Sequence, residues 1–176
     1  MAPSTRGFTL VEALIVVVLV GIVALATIPV LRSQDPARLD AAAAEVGNVL
    51  RFAISEANRS GGYLLVDASN PGHLRVLNSN AAGAMLAPVR DPLTRNALEL
   101  DASTRPWAGQ VSLVARFYQG GTPYSQLLIS PGPQLQVIDA GVNRGPLQSG
   151  SGVMVTLGSL SALVTIAEST GRVGIP

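Results

Sequence analysis

Glu12 has the most unusual chemical setting in this sequence. It stands directly before a run of nineteen residues without a charge, Ala13 to Leu31. A carboxylate within an apolar run is unfavourable in a bilayer, by about 2.5–3.5 kcal/mol for a charge at mid-membrane. An ionisable side chain in such a place marks a functional site by default. Glu12 is therefore the first candidate for a functional residue.

The side chains that enzymes use for catalysis are few and dispersed. His73 is the single histidine and there is no cysteine, so a metal site or a catalytic triad would lack most of its members. The aspartates of the later sequence fall in separate predicted turns, at Asp67, Asp91, Asp101 and Asp139. In turns a carboxylate commonly accepts hydrogen bonds from the backbone. The run Asp67–Asn70 comes nearest to a calcium loop but lacks a dense set of oxygen ligands. We expect no catalysis, no cofactor and no metal ion.

Composition excludes several further classes of protein. The 12 basic residues are all arginine and are balanced by 11 acidic residues, for a net charge of +1. This balance provides no strong field for binding nucleic acid or anionic lipid in bulk. Apolar residues make up 48% of the chain, which is too many for an intrinsically disordered protein.

The apolar run predicts a membrane segment. As a helix, the 24 residues from Phe8 to Leu31 would measure about 36 Å, enough to cross a hydrocarbon core of about 30 Å. Three interpretations are open. In the first, the segment is a signal peptide cut after Ala26, which would release a secreted binding domain of 150 residues. In the second, it is a simple single-span anchor. In the third, it is an anchor in which Glu12 has a function.

The third interpretation is favoured by a family resemblance. The residues Arg6-Gly7-Phe8-Thr9-Leu10-Val11-Glu12, running without a gap into the apolar segment, resemble the processing site of type IV prepilins, a family that includes the pseudopilins of type II secretion. The resemblance implies that a prepilin peptidase cuts between Gly7 and Phe8 and methylates the new N-terminus of Phe8, which leaves 169 of the 176 residues. Pro29 lies where many pilin helices carry a proline, and it would let the helix bend.

In that family the glutamate takes part in assembly. Glu12 of one subunit would face the α-ammonium group of Phe8 on its neighbour. At about 4 Å and an effective dielectric constant near 20, such a pair is worth on the order of 4 kcal/mol, much of which desolvation could cancel. We therefore expect the pair to set the axial register, while apolar helix packing supplies most of the association. The implied partners are the prepilin peptidase, other pseudopilins or pilins, the inner-membrane assembly platform and membrane lipid.

The remaining sequence predicts an α+β protein. Asp35-Pro36 opens a second, amphipathic helix, and Gly61-Gly62 ends this helix. Its apolar residues follow helical spacing. The face that should pack on a following domain carries Leu39, Val46, Val49 and Leu50. Short apolar runs punctuated by glycine and proline then predict antiparallel strands. The expected architecture is pilin-like, with a long N-terminal helix packed on an antiparallel sheet.

The predicted boundaries are as follows. Residues 1–7 form the leader peptide, 8–31 the transmembrane and filament-core helix, 32–62 the amphipathic helix and 63–176 a periplasmic β-rich head. The predicted strands are Tyr63–Val66, Leu74–Leu77, Ala84–Val89, Leu98–Asp101, Gln110–Tyr118, Gln126–Ser130, Leu135–Ile138, Val153–Leu157 and Leu163–Glu168. The polar, glycine-rich stretch Gly141–Gly152 is expected to be a mobile loop.

Two later stretches narrow the resemblance. Leu50-Arg51-Phe52-Ala53 within the second helix, and the closing run from Ile166 to Val173, resemble the GspH/FimT group of minor pseudopilins and minor pilins. This group implies a single-pass inner-membrane protein with a periplasmic head, later part of a pseudopilus that serves protein export. A type II secretion system is the first interpretation, and a type IV pilus, including one used for DNA uptake, is the second.

The DNA-uptake interpretation depends on the C-terminal sequence. Some minor pilins of this group bind DNA through a Gly-Arg-x-Arg motif, for which this chain offers Gly171, Arg172, Val173 and Gly174. The second arginine is missing, and with it one phosphate contact. Because no basic stripe compensates, a solvent-facing Arg172 in a hairpin turn is favoured over a DNA contact.

Overall fold

The computed structural model describes residues 10–32, 35–105, 111–132 and 134–176, and within the first helix it describes the side chains of residues 10–23. The described residues form two α-helices followed by eleven β-strands in two antiparallel sheets. The predicted α+β class is confirmed, and the arrangement is consistent with a pilin-like fold. The chain divides into two compact units, Met1–Ala37 and Arg38–Pro176.

Helix α1 belongs to the first unit and runs from Leu10 to Arg32 over 23 residues. Its sequence consists almost entirely of valine, leucine, isoleucine and alanine, with Glu12 as the acidic residue of the first turn. The apolar residues surround the helix instead of forming a stripe, so no face of α1 is marked for a protein core. The helix continues through Pro29 to its end at Arg32.

Helix α2 runs from Asp35 to Ser60. Its buried residues recur at helical spacing and are mostly small, namely Leu39, Ala42, Ala43, Val46, Gly47, Leu50, Ala53 and Ala57. Small side chains let the helix approach its partners closely: a Cβ added at Gly47 would lie 2.6 Å from Ile175 Cδ1. Gly61 follows the helix with a φ of +66°, the left-handed conformation that commonly ends helices. The amphipathic helix and its glycine stop were thus predicted correctly.

The strands are β1 (Tyr63–Asp67), β2 (His73–Ser79), β3 (Glu99–Asp101), β4 (Val111–Gln119), β5 (Thr122–Tyr124), β6 (Gln126–Ile129), β7 (Leu135–Asp139), β8 (Val142–Pro146), β9 (Gly152–Leu157), β10 (Leu160–Ile166) and β11 (Val173–Gly174). One sheet has six strands in the order β3-β2-β1-β6-β7-β8, and the other has five in the order β11-β10-β9-β4-β5. Long-range pairings such as β1 with β6 and β4 with β9 join segments that are distant in the chain.

A single hydrophobic cluster joins α2 to both sheets. Leu50 from α2, Phe117 from β4 and Leu127 from β6 are fully buried within it. Every described residue of this core lies between Leu39 and Val173. A fragment that begins at Asp35 therefore contains the complete core and the whole of α2, and we expect it to fold on its own.

A second, smaller cluster lies on the other face of the six-stranded sheet. It consists of Leu65, Leu77, Leu128 and Ile138. A Cβ added at Gly83 would lie 2.8 Å from Ile138 Cδ1, so the backbone of the β2–β3 connection crosses directly over this cluster. This connection includes the predicted strand Ala84–Val89, which is wrong: the segment is irregular and contributes one isolated bridge, Pro88 to Leu77. Its backbone runs beside β2, because Leu86 N–H donates to the Asn78 carbonyl at 3.0 Å and Val89 N–H to the Val76 carbonyl at 2.9 Å, but it does not form a regular strand.

The predicted loop Gly141–Gly152 is also wrong. Residues Val142–Pro146 form β8, an edge strand paired with β7. A two-residue turn joins the strands, with φ of +48° at Ala140 and +78° at Gly141, as in type I′ hairpins. Strand β5, which follows the similar turn Gly120-Gly121, and the short strand β11 were not predicted either.

Candidate functional site

The candidate assembly site is the N-terminal end of α1. Glu12 lies in the first turn of the helix, which begins at Leu10. A carboxylate there is favoured by the partial positive charge of the helix N-terminus. Gly7 and Phe8, the predicted processing residues, lie outside the described residues, so the cleavage position remains a prediction.

The surface around Glu12 is apolar on all sides. Each large apolar side chain described in α1 is at least half exposed, from 50% at Val16 to 84% at Leu10. Monomeric soluble proteins rarely expose a continuous apolar surface of this extent, and such surfaces mark contacts with other proteins or with lipid. The described part of α1 can therefore bind an apolar partner and offer it one carboxylate near the end of the helix.

Within the described residues, the structure contains no helix with both the length and the apolar character needed to cross a membrane. Pro29 lies inside α1, three residues before its end, and its proposed role in bending the helix remains a prediction.

His73, the single histidine of the chain, lies beside Asp101. It is the first residue of β2 and is partly exposed, and its Nε2 atom lies 3.7 Å from Oδ1 of Asp101. Asp101 also accepts hydrogen bonds from the hydroxyl and the backbone N–H of Ser103, at 2.7 and 2.8 Å. The Ser103 hydroxyl is the main reason why the pKa of Asp101 lies below its usual value. The described residues include no group of three or more histidine or acidic side chains that could hold a metal ion.

Asp67 has a different role from the turn aspartates. Its side chain is buried at the end of β1, and it accepts hydrogen bonds from Arg75 at 2.5 Å, from Gln126 at 3.2 Å and from the Ser69 hydroxyl at 2.6 Å. Burial disfavours the charged carboxylate, but these hydrogen bonds outweigh it and hold the pKa of Asp67 below its usual value. Both carboxylate oxygens are thus engaged by donors of the protein itself.

Arg172 lies at the end of a hairpin turn. The turn begins at Ala167, whose carbonyl accepts a hydrogen bond from Gly171 N–H at 2.8 Å and whose N–H donates to the Arg172 carbonyl at 2.9 Å. Gly171 adopts a φ of +67°, which explains the glycine at this position. The Arg172 side chain is exposed.

A groove of about 690 Å³ adjoins this turn. Its walls come from α2 through Arg51, from the turn before β9 through Ser149 and Gly150, and from the C-terminal segment between Thr165 and Ile175. Arg51 donates a hydrogen bond to the Val173 carbonyl at 3.3 Å. Arg172 was a candidate from the sequence, but its place in one groove with Arg51 was not predicted, because the two residues are 121 positions apart and line the same groove only when α2 packs on the sheet that ends in β11.

The comparisons with known proteins support the N-terminal interpretation. The prokaryotic N-terminal methylation motif matches residues 3–28. No curated protein and no solved structure matches the chain. The matched motif is a type IV pilin-like signal, which indicates a substrate of prepilin peptidase that is anchored in a membrane and then assembles with other pilins into a pilus-type filament.

Proposed function

We propose that this protein is a minor pseudopilin of the GspH/FimT type, a structural subunit of a type II secretion pseudopilus that contributes to protein export. The observation that carries the proposal is the methylation motif at residues 3–28 followed by a helix whose described apolar side chains are all exposed. A precursor with these features would be stored in the inner membrane through residues 8–31, cut between Gly7 and Phe8, and then extracted into a periplasmic filament or its tip complex.

In this proposal the two parts of the chain have separate tasks. Helix α1 supplies the apolar surface for packing with neighbouring subunits, and Glu12 sets the register by facing a neighbour's N-terminal ammonium group. The β-rich head presents contacts to partners or cargo and has no catalytic task. The proposal that the head has no catalytic task is supported by Asp67 and Asp101, because both carboxylates are engaged in hydrogen bonds within the protein.

A first experiment tests the processing step. The full chain is produced in cells with and without a prepilin peptidase, and its intact mass is measured. We expect a chain of 169 residues that begins with N-methylated Phe8 only when the peptidase is present. A chain of 150 residues that begins after Ala26 would instead identify a secreted domain and overturn the proposal.

A second experiment tests the assembly role of Glu12. Glu12→Gln keeps the size of the side chain and removes its charge, and Glu99→Gln is a matched control on the exposed surface of the head. We expect both variants to be cleaved, and only Glu12→Gln to be depleted from filaments that are sheared from cells or cross-linked in place. Normal incorporation of Glu12→Gln would contradict the register role.

A type IV pilus is the second candidate system. The methylation motif suits both systems, so this alternative includes a pilus used for DNA uptake. Deletion of the gene in the native cell separates the two: loss of protein export supports the pseudopilus, and loss of pili or of transformation supports the pilus.

A further inference from the structure

We propose that the groove between α2 and the C-terminal segment binds an extended, acidic peptide segment of a partner protein. The proposal concerns the head alone and goes beyond the assembly role of α1. Its starting point is that two guanidinium groups, those of Arg51 and Arg172, line one groove.

The charge of the groove selects the kind of ligand. Within the part of the chain that the structure describes, neither Arg51 nor Arg172 forms an ion pair, whereas Arg59, Arg75, Arg105 and Arg144 do. A guanidinium group has five N–H donors, and Arg51 uses one of them for the Val173 carbonyl. The remaining donors can bind a carboxylate through the two-bond geometry that arginine favours.

The main chain beside the groove suits an extended peptide. In the pairing of β10 with β11, Gly174 lies opposite Thr165 and Val173 lies opposite Ile166. One residue beyond the strands, the Arg172 carbonyl accepts a hydrogen bond from Ala167 N–H. Since successive residues of a strand point their main-chain groups to opposite sides, those of Val173 point away from β10. The Val173 carbonyl confirms this by accepting its hydrogen bond from Arg51 of α2. Arg51 therefore already occupies the Val173 carbonyl on this side of β11, and a peptide in the groove would lie along the side chains of Arg51 and Arg172 beside this edge.

The shape of the groove also depends on two glycines, which have no side chain that would fill it. Gly150 and Gly174 line it, and a Cβ added at Gly174 would lie 2.7 Å from Thr165 Oγ1. The hydroxyl groups of Ser149, Thr165 and Ser169 add hydrogen-bonding capacity to the walls.

A peptide fits this groove better than a nucleic acid does. Glu168 also lines the groove and would repel a continuous phosphate backbone, whereas a peptide can offer it N–H donors. The lining contains no aromatic side chain on which bases could stack. The described groove therefore matches a ligand with separate carboxylates and a hydrogen-bonding backbone.

The test uses the fragment 35–176 and three fluorescent probes. The first is a pool of ten-residue peptides with Asp or Glu at alternate positions and Val, Thr, Ser or Ala between them. The second is the same pool with Asn and Gln in place of the acids. The third is an oligothymidylate with the same net charge as the first pool. Binding is measured by fluorescence anisotropy at low and at physiological salt.

We expect the acidic pool to bind at least about tenfold more tightly than the amide pool and the oligothymidylate. Arg51→Gln and Arg172→Gln should each weaken binding by about tenfold, and the double variant should abolish it. Arg90→Gln, at an exposed arginine outside the groove, should bind as the unchanged head does. Circular dichroism checks that each variant is folded.

Three results would overturn the proposal: no binding of the acidic pool at low salt, binding of the oligothymidylate as tight as that of the acidic pool, or an equal loss of binding in Arg90→Gln. The second result would identify a nucleic-acid surface instead. Because α1 is absent from the fragment, a negative result leaves the proposed filament role unaffected, and a failed processing experiment leaves this one unaffected.

Discussion

The replacement of Asp67 by asparagine tests whether the buried carboxylate stabilises the folded head. The substitution keeps the shape of the side chain and keeps Oδ1 as an acceptor for Ser69 and Gln126. It replaces Oδ2, the acceptor of the 2.5 Å hydrogen bond from Arg75, with an NH₂ group. The new NH₂ group then faces an N–H donor of Arg75, and the negative charge that attracted the Arg75 guanidinium group is lost.

The expected cost follows from the burial of the two partners. A hydrogen bond to a charged group contributes about 1.5–3 kcal/mol, and stripping one partner from a fully buried ion pair costs about 3–5 kcal/mol. The Asp67 side chain is 1% exposed, but that of Arg75 is 45% exposed, so Arg75 can regain water. We therefore expect Asp67→Asn to lower the free energy of unfolding by about 2–3 kcal/mol.

The matched control is Asp139→Asn. Asp139 and Arg144 form an ion pair of 2.7 Å, and their side chains are 43% and 42% exposed. Exposed pairs of this kind contribute about 0–1 kcal/mol. The two substitutions thus make the same chemical change to an aspartate–arginine pair and differ chiefly in burial.

The pH dependence provides a second check of the same reasoning. Because the pKa of Asp67 is lowered in the folded head, its contribution to stability is present above the unfolded pKa of about 3.9 and is lost as the pH falls through the folded value. Urea unfolding of the fragment 35–176, followed by circular dichroism, should give a constant difference between the unchanged head and Asp67→Asn from pH 7 to about pH 5, and a smaller difference below about pH 4. Equal costs for the two aspartate variants, or a difference that does not change with pH, would refute this account.

Three further predictions concern the same fragment. Leu50→Ala, in the fully buried face of α2, should lower the free energy of unfolding by about 2–5 kcal/mol, whereas Leu93→Ala, at a side chain that is 91% exposed, should change it by no more than about 0.5 kcal/mol; urea titration measures both. Calcium at millimolar concentration should leave the melting temperature unchanged, because donors of the protein already engage both oxygens of Asp67. Gly121→Ala should destabilise the β4–β5 hairpin by about 1–2 kcal/mol, because Gly121 has a φ of +78°.

The elements that the sequence predicted well are those with one buried face. Helix α2 was predicted because Leu39, Val46 and Leu50 recur at helical spacing and Gly61 follows its end. Strand β8 was missed because its residues are mostly exposed and show no alternation, so that backbone pairing with β7 holds it in place. The turn Ala140-Gly141 was the available signal, since a glycine in a two-residue connection favours a hairpin.

The Asp67 network shows which side-chain contacts a sequence can and cannot predict. Asp67 and Arg75 are direct partners in the β1–β2 register, and a hairpin centred on the turn signal at Pro71 places them opposite each other. Their pairing was therefore available from local sequence. Gln126 completes the network from β6, 59 positions away, and its contact depends on the order of strands in the sheet. The groove beside Arg172 depends on a contact of the same non-local kind.

The described residues of the two units differ in how much of their apolar surface is buried. The head buries its large side chains around Phe117 and exposes only a few scattered ones, such as Leu93 and Val114. Helix α1 leaves every described large apolar side chain at least half exposed, and burial of such surface is the main driving force for association. A helix that is apolar all round gives strong association but little orientation, because many rotations and shifts bury similar area. In the proposed filament Glu12 would remove this degeneracy, because in an apolar contact its charge tolerates only the arrangements that provide a positive partner or water. One carboxylate at the end of such a helix can therefore determine how subunits align even where it adds little to how tightly they bind.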